Sequence, residues 1–245
     1  KEDMASLRLV VSGGTTLPLK IEQDFMNKFG VDICEGYGLS ETAPVVTMNP
    51  PEKPKVGSCG PVVPGIAWKL IDADGKEVPK GEAGEFIVKG DNIMLGYWNL
   101  PDATKNALRG GWLHTGDMGT MDPDGTLYIR GRSKTMILSG SGQNIYPEEI
   151  EDKLNNMYLV LESLILDSGN GKLKAMVVPD YEQAEAEGVD KNDLPQIMQN
   201  NLTELNSLLA AYERVSEIII YPTEFEKTPK RSIKRYLYSP SLLNK

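Results

Sequence analysis

The sequence predicts an α/β sheet segment running into a β-barrel-like subdomain, followed by a small α+β C-terminal domain. Three observations predict this. Near the start, a strand pattern, a Gly-rich loop, a helical pattern, a second strand and a second Gly-rich loop follow one another, the order of an α/β sheet whose ligand sits at the strand ends. In the middle, short alternating segments are separated by Asp-Gly turns, which suggests a small, distorted β-barrel. After Arg132, helix and hairpin patterns mix in a unit of their own. The domain border is therefore placed near Arg132, giving residues 1–131 (sheet segment to about residue 50, barrel from 51) and residues 132–245.

In order, residues 7–11 (Leu-Arg-Leu-Val-Val) read as a short buried strand ending at Ser12-Gly13-Gly14. A helix follows: Ile21, Phe25 and Phe29 recur at four-residue spacing, Thr15 or Thr16 caps its start, Pro18 suits its first turn and Gly30 closes it. Residues 31–34 form the second strand, which delivers the chain into Gly36-Tyr37-Gly38-Leu39-Ser40-Glu41-Thr42. Prolines and glycines between 50 and 65 mark a long connection. Residues 66–71 and 85–89 alternate around Asp72-Ala73-Asp74-Gly75, and residues 126–130 follow Asp122-Pro123-Asp124-Gly125. Between them the tryptophans read as barrel packing and Gly116-Asp117 as a turn. Beyond Arg132, residues 139–142 read as a flexible loop, and Pro147 opens a helix with Glu148 and Glu149 in its first turn. Residues 159–167 and 172–178 form a hairpin about Gly169-Asn170-Gly171. Residues 192 to about 212 form an amphipathic helix whose stripe (Leu194, Ile197, Met198, Leu202, Leu205, Leu208, Leu209) is core. Residues 217–221 are a last strand, and a basic tail, 227–235, follows it, whose bland reading is a solvated tail.

Composition narrows the function. Lys plus Arg number 26 against 35 Asp plus Glu, a net charge of −9, which argues against nucleic acid as the main partner. Two cysteines, Cys34 and Cys59, are too few for a disulfide scaffold and lack metal spacing, so a reducing, cytoplasmic setting is the simple reading. No apolar run approaches the roughly 20 residues of a membrane span. The chemistry concentrates in residues 36–42. Tyr37 offers a flat face to a purine, Ser40 a hydroxyl to a phosphate oxygen and Glu41 a carboxylate to a divalent cation, while Gly36 and Gly38 let the backbone approach a ligand. The bland alternative is a strand end running into a turn.

Five segments in register carry a resemblance: Ser12-Gly13-Gly14; residues 36–42; residues 84–104 with Gly96-Tyr97-Trp98-Asn99; residues 111–117; and Gly131-Arg132-Ser133-Lys134 running to Tyr146-Pro147-Glu148-Glu149-Ile150-Glu151. Together they resemble the C-terminal portion of adenylate-forming enzymes, the superfamily of acyl-CoA synthetases, peptide-synthetase adenylation domains and luciferases. The wording of residues 144–151 is most similar to ligases of the long-chain fatty-acid type.

The resemblance implies ATP/AMP, Mg²⁺ and coenzyme A as cofactors and two half-reactions. In the first a carboxylate and ATP give an acyl-adenylate and pyrophosphate, and in the second the coenzyme A thiol displaces AMP. By resemblance, Gly13, Gly14, Thr15 and Tyr37 sandwich the adenine, Ser40 meets the α-phosphate and Glu41 ligates Mg²⁺. Asp117 accepts the ribose hydroxyls, Arg132 supports the ribose, and His114 is a pocket-wall residue. Lys134 matches a domain hinge, and the loop carrying Ser139, Gly140 and Gly142 lies against the pantetheine arm. Partners are small molecules, with at most peripheral membrane contact, and oligomeric state stays open.

Two departures matter. The Ser/Thr/Gly-rich phosphate loop of the superfamily is not in the sequence, so the chain is expected to be a fragment that should not itself catalyse adenylation. The superfamily's C-terminal lysine aligns with Ser232, leaving Lys234, then Lys230, as nearest substitutes. The alternatives carried forward are an adenylating enzyme for an amino or aryl acid loading a carrier protein, and a nucleotide-binding module without turnover.

Overall fold

The computed structural model describes residues 6–15, 17–169, 172–229 and 232–238. The chain divides into two compact units, Lys1–Lys134 and Thr135–Lys245. The division falls two residues beyond Arg132, because Arg132 is still the last residue of a sheet strand in the first unit. Among the described residues no helix is long and apolar enough to cross a membrane.

The first unit opens with β1 (Val10–Ser12), α1 (Leu19–Phe29) and β2 (Ile33–Gly38). β1 and β2 pair in parallel, with Val10 opposite Ile33 and Ser12 opposite Glu35, as a strand–helix–strand crossover requires. The first strand is shorter and later than its apolar run suggested. Pro18, not Thr15, precedes the helix, with no side-chain cap; Thr16 lies outside the described residues. Gly30 closes the helix in the left-handed conformation, its N–H bonded to the Met26 carbonyl at 2.7 Å. The expected apolar stripe is not core: Ile21 is 54% exposed, while Phe25 and Phe29 stack on each other at 4.7 Å. The helix instead buries Glu22.

β2 continues through the glycine motif and pairs antiparallel with β3 (Val45–Met48). Then come β4 (Gly60–Pro61), β5 (Ala67–Ile71), β6 (Gly84–Lys89), α2 (Pro101–Ala107), β7 (Leu108–Arg109), β8 (Trp112–Met121) and β9 (Thr126–Arg132). The strands from β4 to β9 make one antiparallel sheet in the order β4-β9-β8-β6-β5, with β7 pairing the start of β8. The expected barrel is thus an open sheet. β4 is two residues long and contains a proline, so it offers the opposite edge no ladder to close on. Phe86, Val88, Leu113, Leu127 and Val46 fill its buried face, and the tryptophans are not part of that core: Trp98 is 89% exposed and Trp68 lies towards the surface. Gly116-Asp117 is not a turn either but the middle of β8, beside an irregularity in the β6–β8 pairing.

The second unit contains β10 (Ile137–Leu138), β11 (Asn144–Ile145), α3 (Pro147–Asn155), β12 (Val160–Asp167), β13 (Leu173–Pro179), α4 (Tyr181–Ala186), α5 (Leu194–Leu208) and β14 (Val215–Ile220). β12 and β13 form the expected hairpin, whose apex residues Asn170 and Gly171 lie outside the described residues, and β14 joins β13 in parallel. α3 begins at Pro147 as the sequence suggested, while α5 is shorter at both ends than its pattern. Leu194, Met198, Leu202, Leu205 and Leu209 are buried against this sheet, but Leu208 is exposed. The short α4, capped by Asp180, went unseen because six residues carry too little periodicity.

Three cations of the basic tail are paired among the described residues. Lys227 pairs with Glu162 at 2.7 Å, Lys234 with Glu226 at 3.1 Å, and Arg235 with the buried Glu151 of α3, whose other oxygen accepts the Ile165 N–H. Tyr221, Phe225 and Tyr238 cluster beneath it.

Burial pushes the Glu151 carboxyl up to about 7, against the pull of Arg235. The folded state therefore holds a proton there that the unfolded chain has released. This contribution is full below the ordinary carboxylate range and is lost as pH rises through about 7. We expect the urea midpoint of the second unit to fall between pH 5 and pH 8 by the equivalent of about 1–3 kcal/mol. Urea titrations of the wild type and Glu151→Gln at both pH values check this; the variant should lose the slope.

Candidate nucleotide site

The site is built where β2 leaves the first sheet and β8 and β9 cross the second. Alternation along β8 sets Leu113, Thr115 and Asp117 on one buried face. Asp117 is only 5% exposed. A carboxylate there has to be paired, and both oxygens are. The Tyr37 phenol donates to Oδ2 at 2.5 Å, and Arg132 Nε approaches Oδ1 at 2.9 Å. The Asp117 N–H donates to the Thr115 hydroxyl at 3.0 Å, which in turn donates to the Phe86 carbonyl at 2.6 Å. Arg132 also donates to the Thr115 carbonyl at 3.3 Å, so Thr115 and Arg132 brace the acid from two sides. Burial and the adjoining Asp117 charge push the Tyr37 phenol above its usual range, which keeps it a donor. Its ring stands edge-on to Phe86 at 5.9 Å.

Gly36 and Gly38 lie within β2, and they face protein. A Cβ at Gly38 would fall 1.8 Å from the Pro44 carbonyl oxygen, and one at Gly36 3.0 Å from that of Thr47. The return strand β3 therefore excludes a side chain at position 38. Gly13, Gly14 and Thr15 form an exposed turn after β1, beside Gly36 through the parallel register. Ser40 and Glu41 share one 3-10 turn, Ser40–Thr42. That turn is clamped by Thr42, fully buried, whose hydroxyl donates to the Leu39 and Pro44 carbonyls and accepts the Leu39 N–H. Ser40 is exposed and Glu41 half-buried, with Glu41 Oε1 accepting the Tyr97 hydroxyl at 2.7 Å.

His114 pairs with an acid: Nδ1 is 3.0 Å from Glu85 Oε2, and Glu85 Oε1 accepts the Gly116 N–H at 3.1 Å. Among the described residues no three His, Cys, Asp or Glu side chains gather into a metal cage.

In the second unit, residues 139–142 are not a loose loop. Ser139 is buried, its N–H donates to the Gln143 carbonyl at 2.8 Å, its hydroxyl accepts the Gln143 N–H at 2.8 Å, and Gly142 donates to the Ser139 carbonyl at 2.9 Å. This tight turn joins β10 to β11 and borders an open cleft of about 390 Å³ with Lys172, Tyr212, Arg214 and Ser216. Lys134 is the exposed last residue of the first unit. Lys230 lies outside the described residues.

AMP-binding enzymes match residues 1–98, and the AMP-binding enzyme C-terminal domain matches residues 134–239. The chain belongs to the AMP-binding enzyme family. The chain is 39% identical over 236 residues to a long-chain-fatty-acid–CoA ligase of Yersinia pestis, covering 95% of the chain and 40% of the relative. It is 33% identical over 202 residues to an indoleacetate–CoA ligase of Aromatoleum aromaticum, covering 82% of the chain and 39% of that relative. Its fold matches an anthranilate CoA ligase in complex with anthranoyl-AMP at a TM-score of 0.80 and 33% identity, over 96% of the chain and 44% of that structure. The chain thus spans about two fifths of the length of the curated relatives it matches.

The structure brings Tyr37, Asp117 and Arg132 into direct contact and sets Gly13 beside Gly36. Thr42, Thr115 and Glu85 are the supports that residue patterns did not single out. A threonine four residues after the end of a strand, Thr42 after β2, was the one available signal, since such a hydroxyl readily bonds nearby backbone.

Removing the Tyr37 hydroxyl leaves a buried carboxylate oxygen without its donor. Tyr37→Phe should lower the unfolding free energy of the first unit by about 1–3 kcal/mol while keeping the native circular dichroism spectrum, a loss that urea denaturation would measure.

Proposed function

We propose that this chain forms the nucleotide- and thiol-handling portion of an AMP-forming acyl-CoA synthetase acting on fatty acids. The buried Asp117 carboxylate, fixed between Tyr37 and Arg132 beside the glycine turns, carries the reading. Each carboxylate oxygen has more than one lone pair, so Asp117 keeps acceptor capacity for ribose hydroxyls while holding its two protein partners. Gly13, Gly14 and Thr15 on one side and Tyr37 on the other receive the adenine, and Arg132 supports the sugar.

In the first half-reaction a carboxylate oxygen of the acid attacks the α-phosphorus of ATP. The bond to pyrophosphate breaks, leaving the acyl-adenylate. Ser40, exposed at the head of its turn, donates to an α-phosphate oxygen. Glu41 fits a Mg²⁺ site of the kind that uses one protein carboxylate and completes its shell with phosphate oxygens and water: Oε1 is engaged by Tyr97, and among the described residues Oε2 takes no hydrogen bond. Mg²⁺ offsets the repulsion between the carboxylate and the triphosphate. Lys234 is the candidate cation for the phosphates, and to serve it leaves Glu226.

In the second half-reaction the thiol sulfur attacks the acyl carbon, the carbon–oxygen bond to AMP breaks, and the thiol proton departs. Lys134, at the border of the units, is the candidate hinge between the two steps. The cleft beside Ser139, Gly140 and Gly142 pairs the turn's hydroxyls with two cations, Lys172 and Arg214, which suits the amides and phosphates of coenzyme A.

The similarity to the fatty-acid ligase favours a fatty acid as substrate. An aryl acid is the second reading, favoured by the likeness to the indoleacetate and anthranilate ligases.

Two measurements test the proposal. AMP release by the natural protein carrying this chain, across acids from acetate to palmitate and a few aryl acids, should be largest with long-chain fatty acids. Dominance of aryl acids would select the second reading, and nucleotide binding without AMP from any acid would make the chain a binding module. Lys172→Ala with Arg214→Ala should raise KM for coenzyme A by about tenfold or more. Acid-dependent pyrophosphate release should stay unchanged.

A further inference from the structure

Residues 92–97 cross the turn that carries Glu41 and grip it at three points. Asn92 Nδ2 donates to the Thr42 carbonyl at 2.7 Å, the Met94 N–H donates to the Glu41 carbonyl at 2.9 Å, and the Tyr97 hydroxyl donates to Glu41 Oε1 at 2.7 Å. Tyr97 is itself fixed from behind. Its N–H donates to the Thr104 hydroxyl at 2.9 Å, and that hydroxyl donates to the Leu100 carbonyl at 2.9 Å. Gly96, at φ +153°, leaves this approach open, since a Cβ there would fall 2.7 Å from Thr104 Cγ2. Apolar packing holds only the inner part of the run, where Ile93 and Met94 lie against the core of the first unit; towards Tyr97, Leu95 is fully exposed and Trp98 89% exposed.

We infer that Tyr97 is a positioning residue for Glu41, holding one carboxylate oxygen so that the other faces a divalent cation bound with a nucleotide's phosphates. The inference rests on the proposed role of Glu41. A carboxylate free at both oxygens swings between one-point and two-point ligation. One oxygen tied to a phenol leaves a single outward donor, the geometry a small octahedral cation accepts.

Mn²⁺ binding to the natural protein in the presence of ATP, read from the electron paramagnetic resonance signal of free Mn²⁺, tests this in wild type, Tyr97→Phe, Glu41→Gln and Trp98→Ala. Tyr97→Phe should weaken Mn²⁺ binding by about tenfold, and raise the half-saturating Mg²⁺ for AMP release by a similar factor, with kcat at saturating metal nearly unchanged. Trp98→Ala should match wild type. If Glu41→Gln weakens Mn²⁺ binding and Tyr97→Phe does not, the positioning role falls while the Glu41 assignment stands. If neither variant changes Mn²⁺ affinity, the Glu41 assignment falls too. Should Tyr97→Phe lower the melting temperature, Thr104→Val, which removes the acceptor behind Tyr97 and leaves the phenol in place, is read instead; it should weaken Mn²⁺ binding in the same direction, and wild-type affinity in that variant overturns the inference.

Discussion

A carboxylate buried in the interior of a β-sheet is the constraint around which the first unit is arranged. Desolvating Asp117 would cost several kcal/mol without compensation, and two other strands compensate it: Tyr37 from β2 and Arg132 from the end of β9 hold the carboxylate, while Thr115 of β8 itself accepts the Asp117 N–H. These bonds tie the three-stranded sheet to the six-stranded one. They also explain why β9 runs through Gly131 to Arg132, and why β8 continues past Gly116 instead of turning.

Three of the residues singled out in the sequence, Tyr37, Asp117 and Arg132, meet in the folded chain, while parts of the scaffold were misread. Tyr37, Asp117 and Arg132 stand in segments whose residue types suit nucleotide chemistry, and their order matches the superfamily. The supports were hidden because they act through backbone groups. Thr42 and Thr115 bond carbonyls and N–H groups whose positions only the folded chain defines. The sheet was misread as a barrel because alternation and turns reveal strands, while closure depends on whether the two edge strands are long enough to meet. The tryptophans misled for a related reason: large aromatic residues are usual in cores, but in residues 94–100 the backbone is fixed by hydrogen bonds and Trp98 is left outside.

In the second unit the legible elements were those with long periodicity, α5 and the β12–β13 hairpin. The pairing of the basic tail was not legible because charge alone does not say where acids wait. Glu151, Glu162 and Glu226 are spread over 75 positions of sequence, and only the fold gathers them opposite Arg235, Lys227 and Lys234. The same ion pairs that hold the tail occupy Lys234, so any role for its ammonium at a phosphate competes with Glu226.

The glycines of the Gly-Tyr-Gly motif have a consequence for how the chain tolerates sequence drift. Since the Pro44 carbonyl already closes the space at Gly38, the fold by itself excludes a side chain there. Gly36 meets the movable end of Met48 as well as backbone, so a smaller partner at position 48 relieves part of its crowding. A single motif therefore holds two kinds of position. One is closed to every side chain whatever the protein binds, and the other is negotiable with its neighbour across the strand.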